Sequence, residues 1–163
     1  IRFDVNDVRV FVGRGSSGVR GIKIKPNDYV VSMSLISKME KRYILSVTEN
    51  GFGKRTPVED YRMTNRGGQG VANIECSNRN GPVVASYVAS EDDQIMLVTN
   101  TGKLIRIRVH GGEGDSIRVA GRKTQGVRLF DLDDEEKVVS VALLTESDDD
   151  ENSDENVNEV ATD

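Results

Sequence analysis

Arginine set among glycines occurs three times in this sequence, and the chemistry it suits is recognition of phosphate. The copies are Gly13-Arg14-Gly15-Ser16-Ser17-Gly18-Val19, Thr64-Asn65-Arg66-Gly67-Gly68-Gln69-Gly70-Val71 and Gly121-Arg122-Lys123-Thr124-Gln125-Gly126-Val127. In each, an Arg leads through three small or polar residues to Gly-Val and an apolar alternation. A guanidinium standing clear of a sheet can fork onto a phosphate. Glycine supplies positive φ and lets another backbone come close, so Gly13, Gly15, Gly18, Gly67, Gly68, Gly70, Gly121 and Gly126 read as the loop glycines. One such loop is an ordinary turn with a surface Arg. Three in register, 52 and 56 residues apart, predict a repeated working surface with the period of a propeller blade.

The other cations gather around the same repeats. The candidate set for a phosphate backbone is Arg14, Arg20 and Lys23; Lys54, Arg55, Arg62 and Arg66; and Arg106, Arg118, Arg122, Lys123 and Arg128, with Lys25, Arg79 and Arg108 in the same clusters. Stacked repeats would line these clusters along one rim, placed to follow phosphates and not to read bases. The formal charge of −5 conceals this because nine acids and no base fall in residues 146–163, leaving 22 bases against 18 acids in the rest. A basic body points to a polyanion partner, and the acidic tail is expected to be disordered.

Other chemistry is not supported. Gly13 to Gly18 spells G-x-G-x-x-G, but a dinucleotide site needs a helix next, and Val19-Arg20-Gly21-Ile22-Lys23-Ile24 reads as a strand. The Gly111-Gly112-Glu113-Gly114 loop lacks the Lys-Ser/Thr of a nucleotide-binding loop. His110, the one histidine, has no second ligand nearby in sequence for a metal and no partner marking it as a base, so it is expected to be solvated. Asp148-Asp149-Asp150-Glu151 offers a divalent ion no rigid geometry. No catalytic residue, metal site or cofactor site is predicted.

The elements carrying the loops read as strands. Ile1 to Val5 alternates like Ile105 to Val109, so the chain is expected to open mid-strand, and the missing initiator Met suggests a fragment. After each loop come Val19, Ile22 and Ile24; Val71, Ile74 and Cys76; or Val127, Phe130 and Leu132, which places Cys76 in the core. Polar turns follow at Pro26-Asn27-Asp28, Asn78 to Pro82 and Asp133 to Glu136. Then come β-branched strands at Val30-Met33, Val83-Ser86 and Val138-Val141. Hairpins follow, Tyr43–Thr48 turning at Asn50-Gly51 and Ile95–Thr99 turning at Thr101-Gly102. No segment keeps a helical period. The expected fold is all-β: about three blades of four strands each over residues 1–145, and a separate tail over 146–163.

Composition agrees. Trp is absent and aromatics make up 5%, which argues against a stacking platform for single strands. The single cysteine fits a reducing compartment. No apolar run is long enough to span a bilayer as a helix, and no signal peptide opens the chain.

On Val19-Arg20-Gly21-Ile22, Asn50-Gly51-Phe52-Gly53-Lys54-Arg55-Thr56, Asp93-Gln94-Ile95-Met96 and Gly121 to Val127, the chain resembles the end of the C-terminal domain of the A subunit of bacterial DNA gyrase. The resemblance covers about residues 1–145. It implies a β-pinwheel, a six-bladed propeller-like disc whose basic rim wraps duplex DNA. In that family, wrapping gives the DNA the hand that ATP-driven negative supercoiling needs. The implied partners are duplex DNA, the remainder of the gyrase A subunit, reached directly, and through it the B subunit, in the cytoplasm at the bacterial nucleoid and not at a membrane. The family's seven-residue box, Gln-Arg-Arg-Gly-Gly-Lys-Gly, is matched by Thr64 to Gly70 only at Arg66, Gly67, Gly68 and Gly70, as in a degenerate later-blade copy. The catalytic tyrosine, ATP and magnesium would act outside this chain, and Tyr29, Tyr43, Tyr61 and Tyr87 do not stand for that tyrosine. The alternatives are the C-terminal domain of the A subunit of topoisomerase IV and a propeller-like docking platform for proteins.

Overall fold

A computed structural model describes residues 1–37, 42–112 and 116–145; the acidic segment 146–163 lies outside the described residues. Seven strands occur in chain order: β1 (Tyr43–Thr48), β2 (Phe52–Pro57), β3 (Val83–Ala89), β4 (Gln94–Thr99), β5 (Leu104–Arg108), β6 (Val127–Arg128) and β7 (Val138–Leu144). They form two antiparallel sheets, ordered β3-β1-β2-β6 and β5-β4-β7. The only helical pieces among the described residues are three-residue 3-10 turns at Val5–Asp7 and Val58–Asp60.

Both expected hairpins form. Gly51 and Gly102 take φ of 76° and 86° at their turns, a region glycine enters without steric cost. The repeat extends into the ladders. β3 pairs with β1 and β7 with β4 along their full lengths, and each ladder slips at the same place, Val47/Thr48 in one and Val98/Thr99 in the other. A bulge kept at one repeat position is a built feature of the sheet.

The sheets are composite. β1 and β2 belong to the first repeat, β3 to the second and β6 to the third, yet all four share one sheet. A strand therefore pairs with a hairpin that precedes it in the chain. Between the sheets lies the apolar core: Leu45, Val47, Ala85 and Ala89 against Ile95, Leu97, Val138 and Val141, extended by Val109 and Ile117. Fully burying each large aliphatic stabilises by about 1.5–3 kcal/mol. The other face of β1 and β2 is buried too, under polar groups. Tyr61 donates its hydroxyl proton to Asn73, Asn73 Nδ2 donates to Ser46 Oγ at 2.7 Å, and Ser46 meets Ser86 at 3.0 Å.

The composite rule explains where the sequence reading fails. The strands expected at Ile1–Val5, Val19–Ile24 and Val30–Met33 do not form; residues 1–37 contribute one bridge, Arg2 to Met63. The counterparts that do form strands, Val83–Ala89, Val127–Arg128 and Val138–Leu144, each pair with a hairpin earlier in the chain, Leu104–Arg108 pairs inside its own hairpin, and residues 71–76 form no strand either. Val10, Val12, Tyr29, Val30, Met33 and Leu35 are accordingly exposed. In the second repeat Ile74 is buried but Cys76 is exposed, against expectation. The chain there wraps around the buried Asn80 side chain, which accepts from Ser77 N at 2.8 Å and donates to Glu75 O at 2.9 Å and Gln125 O at 3.1 Å. Asn80 takes the inward place and Cys76 faces out. Phe130 and Leu132 do pack against the core, from irregular chain.

Candidate nucleic-acid interface

The repeated loops lie side by side and are stitched at equivalent atoms. Arg66 donates from Nη1 to Arg20 O at 2.5 Å and from Nε to Asp7 O at 2.9 Å, while Arg122 donates from Nη1 to Ala72 O at 2.8 Å. Arg20 and Ala72 each follow a Gly-Val pair, so each arginine reaches the same position of the loop before it. The backbone repeats the relation: Lys23 N donates to Gly68 O at 2.8 Å and Glu75 N to Thr124 O at 3.1 Å. These two arginines therefore do not stand clear as expected. Each commits one or two of its five N–H groups to the neighbouring loop and keeps the rest, and Arg122 also lies over the Tyr61 ring at 6.0 Å.

The third loop is seated along the outer edge of β2. Ala120 N donates to Arg55 O and Leu129 N to Gly51 O, both at 2.9 Å, while Arg55 N donates to Arg118 O at 3.1 Å. Glycine is required twice in this seam. Gly126 has φ 78°, and a Cβ there would lie 2.6 Å from Gly53 O; a Cβ on Gly53 would lie 2.6 Å from Leu129 Cδ1. Among the other loop glycines only Gly67 and Gly70 take positive φ; Gly13, Gly15, Gly18, Gly68 and Gly121 do not.

Two of the expected phosphate-binding cations face inward. Lys54 is 0% exposed, and its Nζ donates to Gly121 O at 2.6 Å, Arg122 O at 2.8 Å and Thr124 Oγ1 at 3.2 Å. Burial, with a smaller contribution from the Arg122 charge, lowers its pKa to about 8. Arg55 is 5% exposed, stacks on Tyr43 at 4.9 Å, donates from Nε to Ile117 O at 2.7 Å and has Nη1 3.5 Å from Glu91. Neither can reach a backbone phosphate. Their positions on a strand covered on both faces turn them into pins for the segment 117–124.

The remaining candidates are exposed: Arg14, Arg20, Lys23, Arg62, Arg106, Arg118, Lys123 and Arg128. Arg118, Arg122, Lys123 and Arg128 come together along the β2 edge, and Arg20, Lys23 and Arg66 around the neighbouring loop. Arg106 sits apart on β5, bonded to Gln94 Oε1 at 2.7 Å. Arg128 pairs with Asp131 at 2.5 Å, and its guanidinium and that of Arg79 lie 5.6 and 4.9 Å from the centre of the Phe52 ring. Arg79 belongs with the edge cations; its nearness to Phe52 across 27 residues left no trace in the sequence.

Sequence reasoning also missed Glu136. It is buried and accepts from Thr99 Oγ1 at 2.7 Å, Thr101 Oγ1 at 2.6 Å, Lys103 Nζ at 2.9 Å and Asp133 N at 3.0 Å. The Thr101 hydroxyl, then the Asp133 amide, Lys103 and Thr99, hold its pKa at about 2. An acidic turn gives no warning that one of its carboxylates is internal.

His110 is exposed but not merely solvated, since its Nδ1 lies 2.7 Å from Ser116 Oγ and 3.4 Å from Arg55 Nη2. The Ser116 hydroxyl and the Arg55 guanidinium thus approach the same ring nitrogen. Among the described residues no cluster of His, Cys, Asp and Glu could hold a metal, and no helix is long and apolar enough to cross a membrane.

The model of the DNA gyrase C-terminal domain, beta-propeller, matches residues 1–37, 42–84 and 93–145. The DNA gyrase A subunit of Staphylococcus aureus (strain MRSA252) is 42% identical over 155 residues, covering 95% of this chain and 17% of that protein. The DNA gyrase A subunit of Rickettsia prowazekii (strain Madrid E) is 36% identical over 201 residues, covering 95% of this chain and 22% of that protein. The chain thus spans about a fifth of these relatives. A solved DNA gyrase A C-terminal domain superposes with a TM-score of 0.72 at 32% identity, covering 88% of this chain and 46% of the other. A solved C-terminal domain of DNA topoisomerase IV superposes with a TM-score of 0.75 at 29% identity, covering 86% and 42%. With its repeated loops and both hairpins inside the matched residues, the chain belongs to the family of the DNA gyrase C-terminal domain, a β-propeller of the pinwheel kind.

Proposed function

We propose that residues 1–145 are a DNA-binding and DNA-wrapping module of a DNA gyrase A subunit, and that residues 146–163 form a separate acidic tail. The observation that carries this reading is the stitching of successive Gly-Val loops at one repeat position, Arg66 to Arg20 O and Arg122 to Ala72 O. It fixes the loops at a constant lateral offset, so the cations they bear form a track for a phosphate backbone and not isolated charges. The track supplies no base-reading geometry, so binding is expected to follow DNA shape and charge and not sequence. The partners are duplex DNA, the rest of the A subunit, and the B subunit through it, at the bacterial nucleoid. Cleavage, ATP and magnesium belong to those other parts. The exposed apolar residues of the first repeat would be covered by the rest of the A subunit.

A salt titration with a linear duplex tests this. Log affinity against log salt should fall with a slope of about −0.9 per phosphate neutralised. Charge reversal at Arg20, Lys23, Arg118 and Lys123 together should flatten the slope. A slope near zero for the unaltered chain defeats the reading. Wrapping is read separately, by ligating nicked circles in the chain's presence and measuring linking number. Binding without a linking change would favour a simple grip on DNA.

A further inference from the structure

We infer that Lys54 is a positioning residue for the DNA-binding edge: from inside the sheet it sets the register in which Arg122 and Lys123 are presented. The inference rests on the DNA-binding reading above and adds to it a residue that cannot itself touch DNA. Lys54 Nζ is fully buried and directs its three N–H groups at three acceptors of one short segment, the carbonyls of Gly121 and Arg122 and the hydroxyl of Thr124. Thr124 Oγ1 in turn donates to Gly121 O at 2.9 Å. The ammonium therefore closes a small ring of groups from which Arg122 and Lys123 project outward. An ammonium has as many donors as the segment has acceptors, so no bond is to spare.

The second hairpin supplies an internal comparison. Aligned on Gly51 and Gly102, it has Leu104 where the first has Gly53, and Ile105 where the first has Lys54. Among the described residues no Gly-Val loop lies along its outer strand, and Leu104 there is exposed. The seat and the seated loop occur together: Gly53 allows the close approach of Gly126, and Lys54 satisfies the carbonyls that approach brings inside. A buried lysine makes sense as the partner of buried carbonyls, which are destabilising when left unpaired.

Removing the proton should loosen the seat. A neutral amine donates only two N–H groups, so one of three acceptors would face a lone pair. Arg122 is the charged group that faces Lys54 from the loop, and Ser46 pairs with it across β1. Beyond Arg122 lie Asp60 and Tyr61, and burial raises the Tyr61 hydroxyl above its usual range so that it keeps its proton near pH 9. The Ile1 amino group, lowered by burial, sits against Gly70 and not here.

The test uses the 163-residue chain, unaltered and as Lys54→Met, with Lys123→Met as the control for a direct contact. At pH 7 Lys54→Met should flatten the salt slope of duplex binding by about 1.8, two phosphate contacts at 0.9 each, although no phosphate can reach that site. Lys123→Met should flatten it by about 0.9 at every pH. The unaltered chain's slope should flatten toward that of Lys54→Met as pH rises from 7 to 9, while the variant's stays level. Amide exchange should quicken at Glu75 and Ala120, whose N–H groups bond across this seam, and stay unchanged in β4 and β7. A variant that melts earlier but keeps the full slope and the pH trend overturns the inference, as does unchanged exchange at Glu75 and Ala120. If Lys54→Met does not fold, the pH dependence of the unaltered chain decides alone, and a level slope overturns the inference. If the unaltered chain shows no salt-dependent binding, the DNA reading fails, and the exchange measurement still decides whether Lys54 seats the loop.

Discussion

Alanine placed at the two ends of the third loop should give opposite results from the same chemical change. At Gly126 the residue takes φ 78°, and forcing an L side chain into that region costs roughly 1–2 kcal/mol. The new methyl would meet Gly53 O at 2.6 Å and Gly53 C at 2.9 Å. Both atoms belong to the backbone of β2, so relief means lifting the loop from the strand. The bonds at risk are the Gly53–Val127 pairing and the Leu129 N to Gly51 O bond of 2.9 Å. Two such bonds net roughly 1–3 kcal/mol, so Gly126→Ala should lose roughly 2–5 kcal/mol in all. Gly121 has no positive φ and nothing within 4 Å of its would-be Cβ, so Gly121→Ala should stay within about 0.5 kcal/mol of the parent. Urea unfolding followed by far-ultraviolet circular dichroism reads both, with a common m-value. If the two variants differ by less than about 1 kcal/mol, the close seam between Gly53 and Gly126 is not what holds the loop.

Glu136→Gln should lower the melting temperature at pH 7. Because the folded pKa is depressed to about 2, this carboxylate's contribution is full above its usual 4.5 and is lost as pH falls through about 2, so the difference between parent and variant should vanish across that window in an acid titration. Arg122→Met removes the bond to Ala72 O and the contact with Tyr61; a loss of about 1–2 kcal/mol is expected at this half-exposed site, with faster amide exchange at Glu75, whereas Arg118→Met should weaken DNA binding and leave stability within about 0.5 kcal/mol. Cys76, exposed in the fold, should react with a thiol reagent in the native chain about as fast as in urea; protection by more than about tenfold would return it to the core.

The hairpins were legible because their signals are local. Asn50-Gly51 and Thr101-Gly102 declare their turns, and the alternation in Ile95 to Thr99 is matched by inward Ile95, Leu97 and Thr99. The first-repeat strands were not legible as failures, because a strand is a relation to a partner and Val30–Met33 has the right residues with no hairpin to join. Lys54 and Arg55 misled for a different reason. Charge reads as surface, and only the third loop, some 65 residues later, supplies the acceptors that let an ammonium and a guanidinium be buried. Arg66 and Arg122 were singled out by their recurrence, and recurrence does not distinguish a group aimed at a ligand from one aimed at the next repeat.

The sheet that joins β1 and β2 to β3 and β6 has a consequence for how the chain comes off the ribosome. When synthesis has reached Pro57, the first hairpin exists with both edges open, and a lone hairpin is marginal in water. One edge is closed by Val83–Ala89 and the other only when Val127–Arg128 appears. Until then the nascent chain carries an unpaired edge, the kind of surface that recruits other strands. Val127–Arg128 is thus the clasp for a sheet that began at Tyr43. A ribosome that stalls between those points releases a product with its strands made and its clasp missing. For the same reason, excising a middle repeat would not shorten the fold cleanly, since each cut removes a strand from a sheet that began one repeat earlier.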